Sequence, residues 1–195
     1  MKINRKPSAL QLARVVRQCL EEGLSVEIDG LGIFEPGSDN KFHFHPLQRP
    51  QVFIAYVEED VTHALRLYED LERSGHNPWL DRMKLLPGQN WARAIENAIE
   101  VSGFFIPCFS RRALCKRGMF FSELRYALDC ATSLPLDDSF VIPVRLEDCI
   151  VPARIMKQIQ YVDLFPDWEG GVRRVIEAID RQQRLRQRRR LRLAG

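Results

Sequence analysis

The chain has 195 residues, 45% hydrophobic and 28% charged, with a formal net charge of +3. That balance describes a soluble globular protein of one ordinary domain plus a smaller piece and excludes a disordered or collagen-like chain; no apolar run reaches the length of a membrane span. The charge is uneven: +1 over residues 1–50, −4 over 51–179, and +6 from Asp180 onward, where residues 181–192 carry seven arginines and no acid.

The five cysteines, Cys19, Cys108, Cys115, Cys130 and Cys149, are odd in number, scattered and free of any CxxC. They point to a reduced, cytoplasmic chain and away from a disulfide framework or a zinc site. The basic start, MKINRKPSALQLARVV, has no continuous apolar core and no small-residue cleavage site, so a signal peptide is not expected.

In chain order, residues 8–22 read as an amphipathic helix, with Ser8 placed to cap it and Leu12, Val15, Val16, Cys19 and Leu20 on its apolar face. Gly23 stops it, and LSVEIDGLGIFEP then alternates around Asp29-Gly30, a hairpin signal, before KFHFHP alternates again. Residues 1–46 therefore form a small helix and β-hairpin module, and 47–51 a proline-punctuated linker. From residue 52 the pattern changes. QVFIAY is a continuous apolar run, as in a strand buried on both faces. A helix follows to Gly75, then a short strand HNPWL, a loop DRMKLLPGQN, a helix from Trp91, a strand GFFIPCFS and a helix bearing Glu123. SFVIPVRL is a fourth strand, VPARIMKQ a short helix, IQYVDL a fifth strand, and a last helix begins at Trp168. Strict alternation of buried strands and helices implies an α/β fold with a parallel sheet covered on both faces over residues 52–180. Residues 181–195 read as an arginine-rich tail, a solvated and frayed helix end, and the one stretch suited to nucleic acid.

Ligands of such sheets bind where the carboxyl ends of the strands meet the following loops. Glu58, Glu59 and Asp60, the loop 81–90, and Glu123 all fall on that edge. Glu123 stands out because its neighbours at i±3 and i±4 are Met119, Phe120, Tyr126 and Ala127, none of them a basic partner. No GxGxxG fingerprint or P-loop is present, and the strand ending IPCFS lacks the aspartate a phospho-receiver needs. His43 and His45 share a strand face but are two ligands without a third, so no metal is expected. Cys108 and Ser110 have no histidine placed to activate them, and Cys108 reads as a packing residue.

These stretches together resemble a TIR domain of the bacterial type. QVFIAYVEED is similar to its first box, PWLDRMKLLPGQNW to its second box and mobile loop, GFFIPCFSRRALCKRGMFFSELRYALD to the strand and helix bearing its key glutamate, and SFVIPVRLEDCIVP and QYVDLF to its closing strands. The resemblance implies a five-stranded flavodoxin-like sheet. It also implies one of two functions. Some members signal by TIR–TIR association without chemistry. Others, with no cofactor, take NAD+ as substrate and cleave its nicotinamide–ribose bond, releasing nicotinamide and ADP-ribose or cyclic ADP-ribose, often after self-association in signalling or defence. An effector acting on a host's TIR signalling shares the same pattern.

The glutamate essential to the cleaving members matches Glu123, and Tyr56, Leu86, Trp91 and Met119 are the residues expected to line its substrate pocket. Met119 stands where those members often have tryptophan, and Ala55 and Val57 where the first box usually has serine. The segment GLSVEIDGLGIFEPGSDNKFHFHP faintly resembles the hairpin of histone-like HU domains without their long basic arm, and reads as a sensing or assembly module.

Overall fold

The computed structural model describes residues 9–28, 31–37, 41–46, 49–84, 88, 90–116, 118–135, 138–151 and 159–194. The chain divides into two units, Met1–Gln48 and Arg49–Gly195.

In the first unit, helix α1 (Ala9–Glu21) is followed by β1 (Val26–Ile28), β2 (Gly32–Pro36) and β3 (Phe42–Pro46), an antiparallel sheet in the order β1-β2-β3. The predicted alternation is realised in register: Ile33 pairs with His45, Phe34 with Phe44 and Glu35 with His43. Phe34 and Phe44 pack with ring centroids 4.5 Å apart and their planes tilted by 33°. Val16 and Leu20 of α1 are buried, as is Ile33.

In the second unit, β4 (Gln51–Ala55), β5 (Asn77–Trp79), β6 (Ser102–Phe109), β7 (Val144–Arg145) and β8 (Val162–Asp163) form a parallel sheet ordered β5-β4-β6-β7-β8. Its central strands β4 and β6 are apolar from Val52 to Ala55 and from Phe104 to Phe109 because both faces are covered. Val52 and Ile54 point to a core shared with Ala64, Leu67 and Leu71 of α2 (Val61–Arg73) and with Val175 and Ile179 of α7 (Trp168–Ala194). Phe53 and Ala55 point to the opposite core, with Ile99 of α4 (Trp91–Val101) and with Phe120, Leu124 and Ala127 of α6 (Met119–Thr132). The period of two in the strands and 3.6 in the helices thus meets on each face.

The fourth and fifth strands are shorter than SFVIPVRL and IQYVDL predict. Alongside β6, the Phe105 N–H donates to Phe140 O, the Ile142 N–H to Phe105 O and the Leu146 N–H to Phe109 O. Between these bonds lie Pro107 and Pro143, which have no N–H to give, so the ladder thins to a bridge at Val141 and the two residues of β7. The stretch read as a loop from Asp81 also begins with a helical turn, α3 (Asp81–Lys84). The expected short helix VPARIMKQ lies mostly outside the described residues.

The last helix corrects the picture of a solvated tail. α7 continues to Ala194 without a break, and Gln182 and Gln183 are buried. Arg186 donates from Nε to Asp138 Oδ1 and Oδ2 at 2.9 and 3.0 Å, and from Nη1 to the Gly103 carbonyl at 2.9 Å. Its guanidinium lies over an aromatic face, 4.6 Å from the Phe104 ring centre. A Cβ at Gly103 would stand 2.3 Å from Pro50 Cβ and 3.2 Å from Arg186 Nη1, so the glycine leaves room for both. At the other end of α7, Trp168 Nε1 donates to Asp70 Oδ2 at 2.7 Å and Arg66 covers the indole at 4.5 Å, tying α7 to α2.

Candidate functional site

The chain runs from β4 to β5 on one side and then crosses to β6 on the other, so the sheet reverses its winding between β4 and β6. A crevice opens at the carboxyl ends of the strands at such a point. Tyr56 follows β4, Asp81 follows β5 after Leu80, and Ser110 follows β6. The helices α4 and α6 both start at this edge and run side by side, joined by the Tyr126 hydroxyl donating to Glu100.

At the crevice the Tyr56 hydroxyl donates to Asp81 Oδ1 at 2.8 Å, and the same oxygen accepts the Arg82 backbone N–H at 2.7 Å. Arg82 Nη1 reaches Glu58 Oε1 at 3.0 Å. Tyr56, Glu58, Asp81 and Arg82 line a cleft of about 350 Å³. Burial, and then Asp81, push the Tyr56 hydroxyl well above its ordinary range, so it is a fixed donor.

Glu123 is partly buried one turn into α6. The inward face of that helix is Phe120, Leu124 and Ala127, so Glu123 sits on the margin of the apolar face rather than at its centre. Among the described residues its carboxylate has no hydrogen-bond or ion-pair partner. Burial first, and the nearby negative charge of Asp81 second, raise its pKa from the ordinary 4.5 to about 7. The site therefore holds a carboxylate whose pKa is raised toward neutrality, within electrostatic reach of a second, hydrogen-bonded carboxylate.

The three acids after β4 have separate structural partners. Glu58 pairs with Arg82 and Glu59 with Lys116, while Asp60, itself buried, accepts from the Ser110 hydroxyl. Ser110 Oγ in turn accepts the Ala113 N–H at 3.0 Å and caps α5 (Arg111–Cys115). Cys108 is fully buried, and burial followed by Asp60 push its thiol far above the ordinary range, which leaves it a packing group.

Of the predicted lining residues, Tyr56 stands at the crevice. Met119 is exposed at the first position of α6, one turn before Glu123. Trp91 is 49% exposed at the first position of α4, behind the Asn90 cap. Leu86 lies outside the described residues. Asp81 was missed in the sequence; the available signal was an acid immediately after a buried strand, on the edge where ligands bind. His45 pairs with Glu35 at 3.2 Å, and no group of three or more His, Cys, Asp or Glu is placed to hold a metal among the described residues. No helix among them is long and apolar enough to cross a membrane.

Known structures share the fold of the second unit. The TIR domain of the Toll-related receptor TRR-2 from Hydra magnipapillata is 25% identical, covers 67% of this chain and 97% of its own, and superposes with a TM-score of 0.55. The TIR-STING receptor from C. gigas, solved with 2',3'-cGAMP, is 23% identical over 66% of this chain and 39% of its own, with a TM-score of 0.54. The TIR domains of the activated Roq1 resistosome are 18% identical over 67% of this chain and 99% of theirs, with a TM-score of 0.52. Among curated proteins, the uncharacterized protein y4cD of Sinorhizobium fredii is 27% identical over 139 residues, 71% of this chain; the chain spans 21% of that protein's length. The family model for the TIR domain matches residues 52–176, the stretch that builds the parallel sheet and carries Tyr56, Asp81 and Glu123. On that match, the chain belongs to the TIR-domain family.

Proposed function

We propose that this TIR domain hydrolyses NAD+ at the nicotinamide–ribose bond, with Glu123 as the catalytic carboxylate. The observation that carries the reading is Glu123, partly buried one turn into α6, under the charge of Asp81 and without a hydrogen-bond or ion-pair partner among the described residues. A carboxylate held for structure is normally given a partner; among the described residues this one has none.

The chemistry suits one carboxylate. The electron pair of the ribose C1'–N bond passes to the nicotinamide ring nitrogen, which leaves as a neutral molecule and needs no acid. The ribose becomes oxocarbenium-like, and an ionised Glu123 against it stabilises the developing positive charge. Water then adds at C1' and releases a proton, so NAD+ and water become nicotinamide, ADP-ribose and a proton. In the cyclising variant, an adenine nitrogen takes the place of water. Tyr56 supplies a fixed donor, and Met119 and Trp91 offer apolar surface for the flat nicotinamide. Activation follows self-association of TIR domains, in cytoplasmic signalling or defence, with the segment 81–90 of a neighbouring copy completing the pocket.

A second reading is a non-enzymatic interaction module, favoured by the half-exposed Trp91 at the start of α4. One experiment separates the two: chromatography of NAD+ incubated with concentrated protein, beside Glu123→Gln. Loss of NAD+ with matching nicotinamide, absent in the variant, supports the enzyme. No turnover even in crowded or fused oligomers favours the module.

A further inference from the structure

The cleft at the carboxyl ends of β4 and β5 carries both signs of charge on a small lining. Glu58 and Asp81 are acids, Tyr56 is a neutral donor, and Arg82 is the one base among the described lining residues. NAD+ is not uniform in charge either. Its nicotinamide ring is positive, and each phosphate of its central pyrophosphate is negative. The acids therefore favour the nicotinamide end and oppose the pyrophosphate, which gains only where a base stands.

Two bonds fix where Arg82 stands. Its backbone N–H donates to Asp81 Oδ1 at 2.7 Å, and the Tyr56 hydroxyl donates to the same oxygen at 2.8 Å. Its side chain is held more lightly. Nη1 lies 3.0 Å from Glu58 Oε1, yet the Arg82 side chain is 56% and the Glu58 side chain 73% exposed. An ion pair so open to water contributes little, because solvent screens it and two long side chains lose freedom to make it. A phosphate offers more, since a guanidinium can direct two N–H groups at its oxygens. The neighbouring bases have other partners. Lys84 Nζ lies 6.0 Å from the Tyr68 ring centre, Lys116 pairs with Glu59, and Arg112 Nη1 donates to the Glu59 carbonyl at 3.1 Å.

We infer, resting on the reading of NAD+ as substrate, that Arg82 binds the pyrophosphate and exchanges its Glu58 partner for a phosphate oxygen. Arg82 then sets substrate affinity, apart from the bond cleavage at Glu123. Glu58 is a competitor held in place beside it, and removing that carboxylate strengthens binding. The exchange costs little because the pair it breaks is exposed, and the backbone of Arg82 stays tied to Asp81 throughout.

The test is calorimetric titration of the full chain with ADP-ribose, which keeps the pyrophosphate, and with adenosine, which lacks it. Arg82→Gln and Glu58→Gln are titrated beside the natural chain, and circular dichroism checks their folding. ADP-ribose is expected to bind the natural chain more tightly than adenosine does, to lose at least about fivefold in affinity with Arg82→Gln, and to gain affinity with Glu58→Gln. A smaller loss with Arg82→Gln overturns the proposal, as does equal binding of ADP-ribose and adenosine. Weaker binding by Glu58→Gln also overturns it, since the pair would then be holding the cleft in shape. If Arg82→Gln does not fold, the Glu58→Gln result decides. NAD+ cleavage is followed in parallel. Turnover whose KM is unmoved by Arg82→Gln overturns the role of Arg82 and leaves the cleavage standing. Binding of ADP-ribose that needs Arg82, in a chain that never cleaves NAD+, supports the role of Arg82 and defeats the cleavage.

Discussion

Tyr56 and Asp81, 25 residues apart in sequence, meet through a 2.8 Å hydrogen bond from the tyrosine hydroxyl to the aspartate Oδ1. The bond joins the ends of β4 and β5 and holds a negative charge at the mouth of the crevice. That charge bears on Glu123, whose pKa it helps to raise. Tyr56 after β4, Asp81 after β5 and Glu123 on α6 thus act on one another electrostatically.

Glu123→Gln is expected to abolish NAD+ cleavage, by at least a hundredfold, while improving stability above neutrality. An unfolded glutamate titrates near 4.5, and here the folded value is about 7. Between those values the folded state keeps a proton that the unfolded state has released, so stability falls as pH rises through the window and the loss is complete above it. The variant should match the natural protein at pH 4 and exceed it by roughly 1–3 kcal/mol at pH 8. Denaturant titrations at the two pH values check this.

Turnover should rise with pH through about 7, because the oxocarbenium-like ribose needs the ionised form of Glu123. Asp81→Asn removes the opposing charge while keeping an oxygen to accept the Tyr56 hydroxyl. The rising limb of the pH–rate profile should then move to lower pH. A profile that keeps its midpoint would show that Asp81 acts on structure alone.

Ser110→Ala takes two bonds at once, the one donated to buried Asp60 and the one accepted from the Ala113 N–H. Leaving a buried carboxylate without its donor, and a helix without its cap, should cost about 2–4 kcal/mol. Thermal melts check the loss. The double variant with Asp60→Asn should recover part of it, since the stranded group is then neutral.

Asp138→Asn, or Arg186→Leu, should loosen the end of α7 and lower stability by about 2–4 kcal/mol, because each leaves one member of a largely buried pair unmatched. Amide hydrogen exchange across residues 181–189 should speed up, while exchange in β4 and β6 changes only as global stability does.

Local pattern carried much of this protein into view from its sequence. Unbroken apolar runs at 52–56 and 103–109 require strands covered on both faces, and alternation with amphipathic helices requires a parallel sheet between two helical layers. The same logic set Glu123 on a helix at the ligand-binding edge, without a basic neighbour. These features follow from side-chain period and covalent chain order, which act within one element. Tertiary packing decided what depends on distant partners. It decided that Asp81 would bind Tyr56 and act on Glu123, and that Asp60 would be spent on Ser110. It decided that Arg186 would leave solvent for Asp138 and the Gly103 carbonyl, turning the start of an arginine tail into a seated helix. Such pairings join residues 25 to 83 apart, and no periodicity reports them, because the burial that makes each bond worth forming exists only after the sheet has assembled.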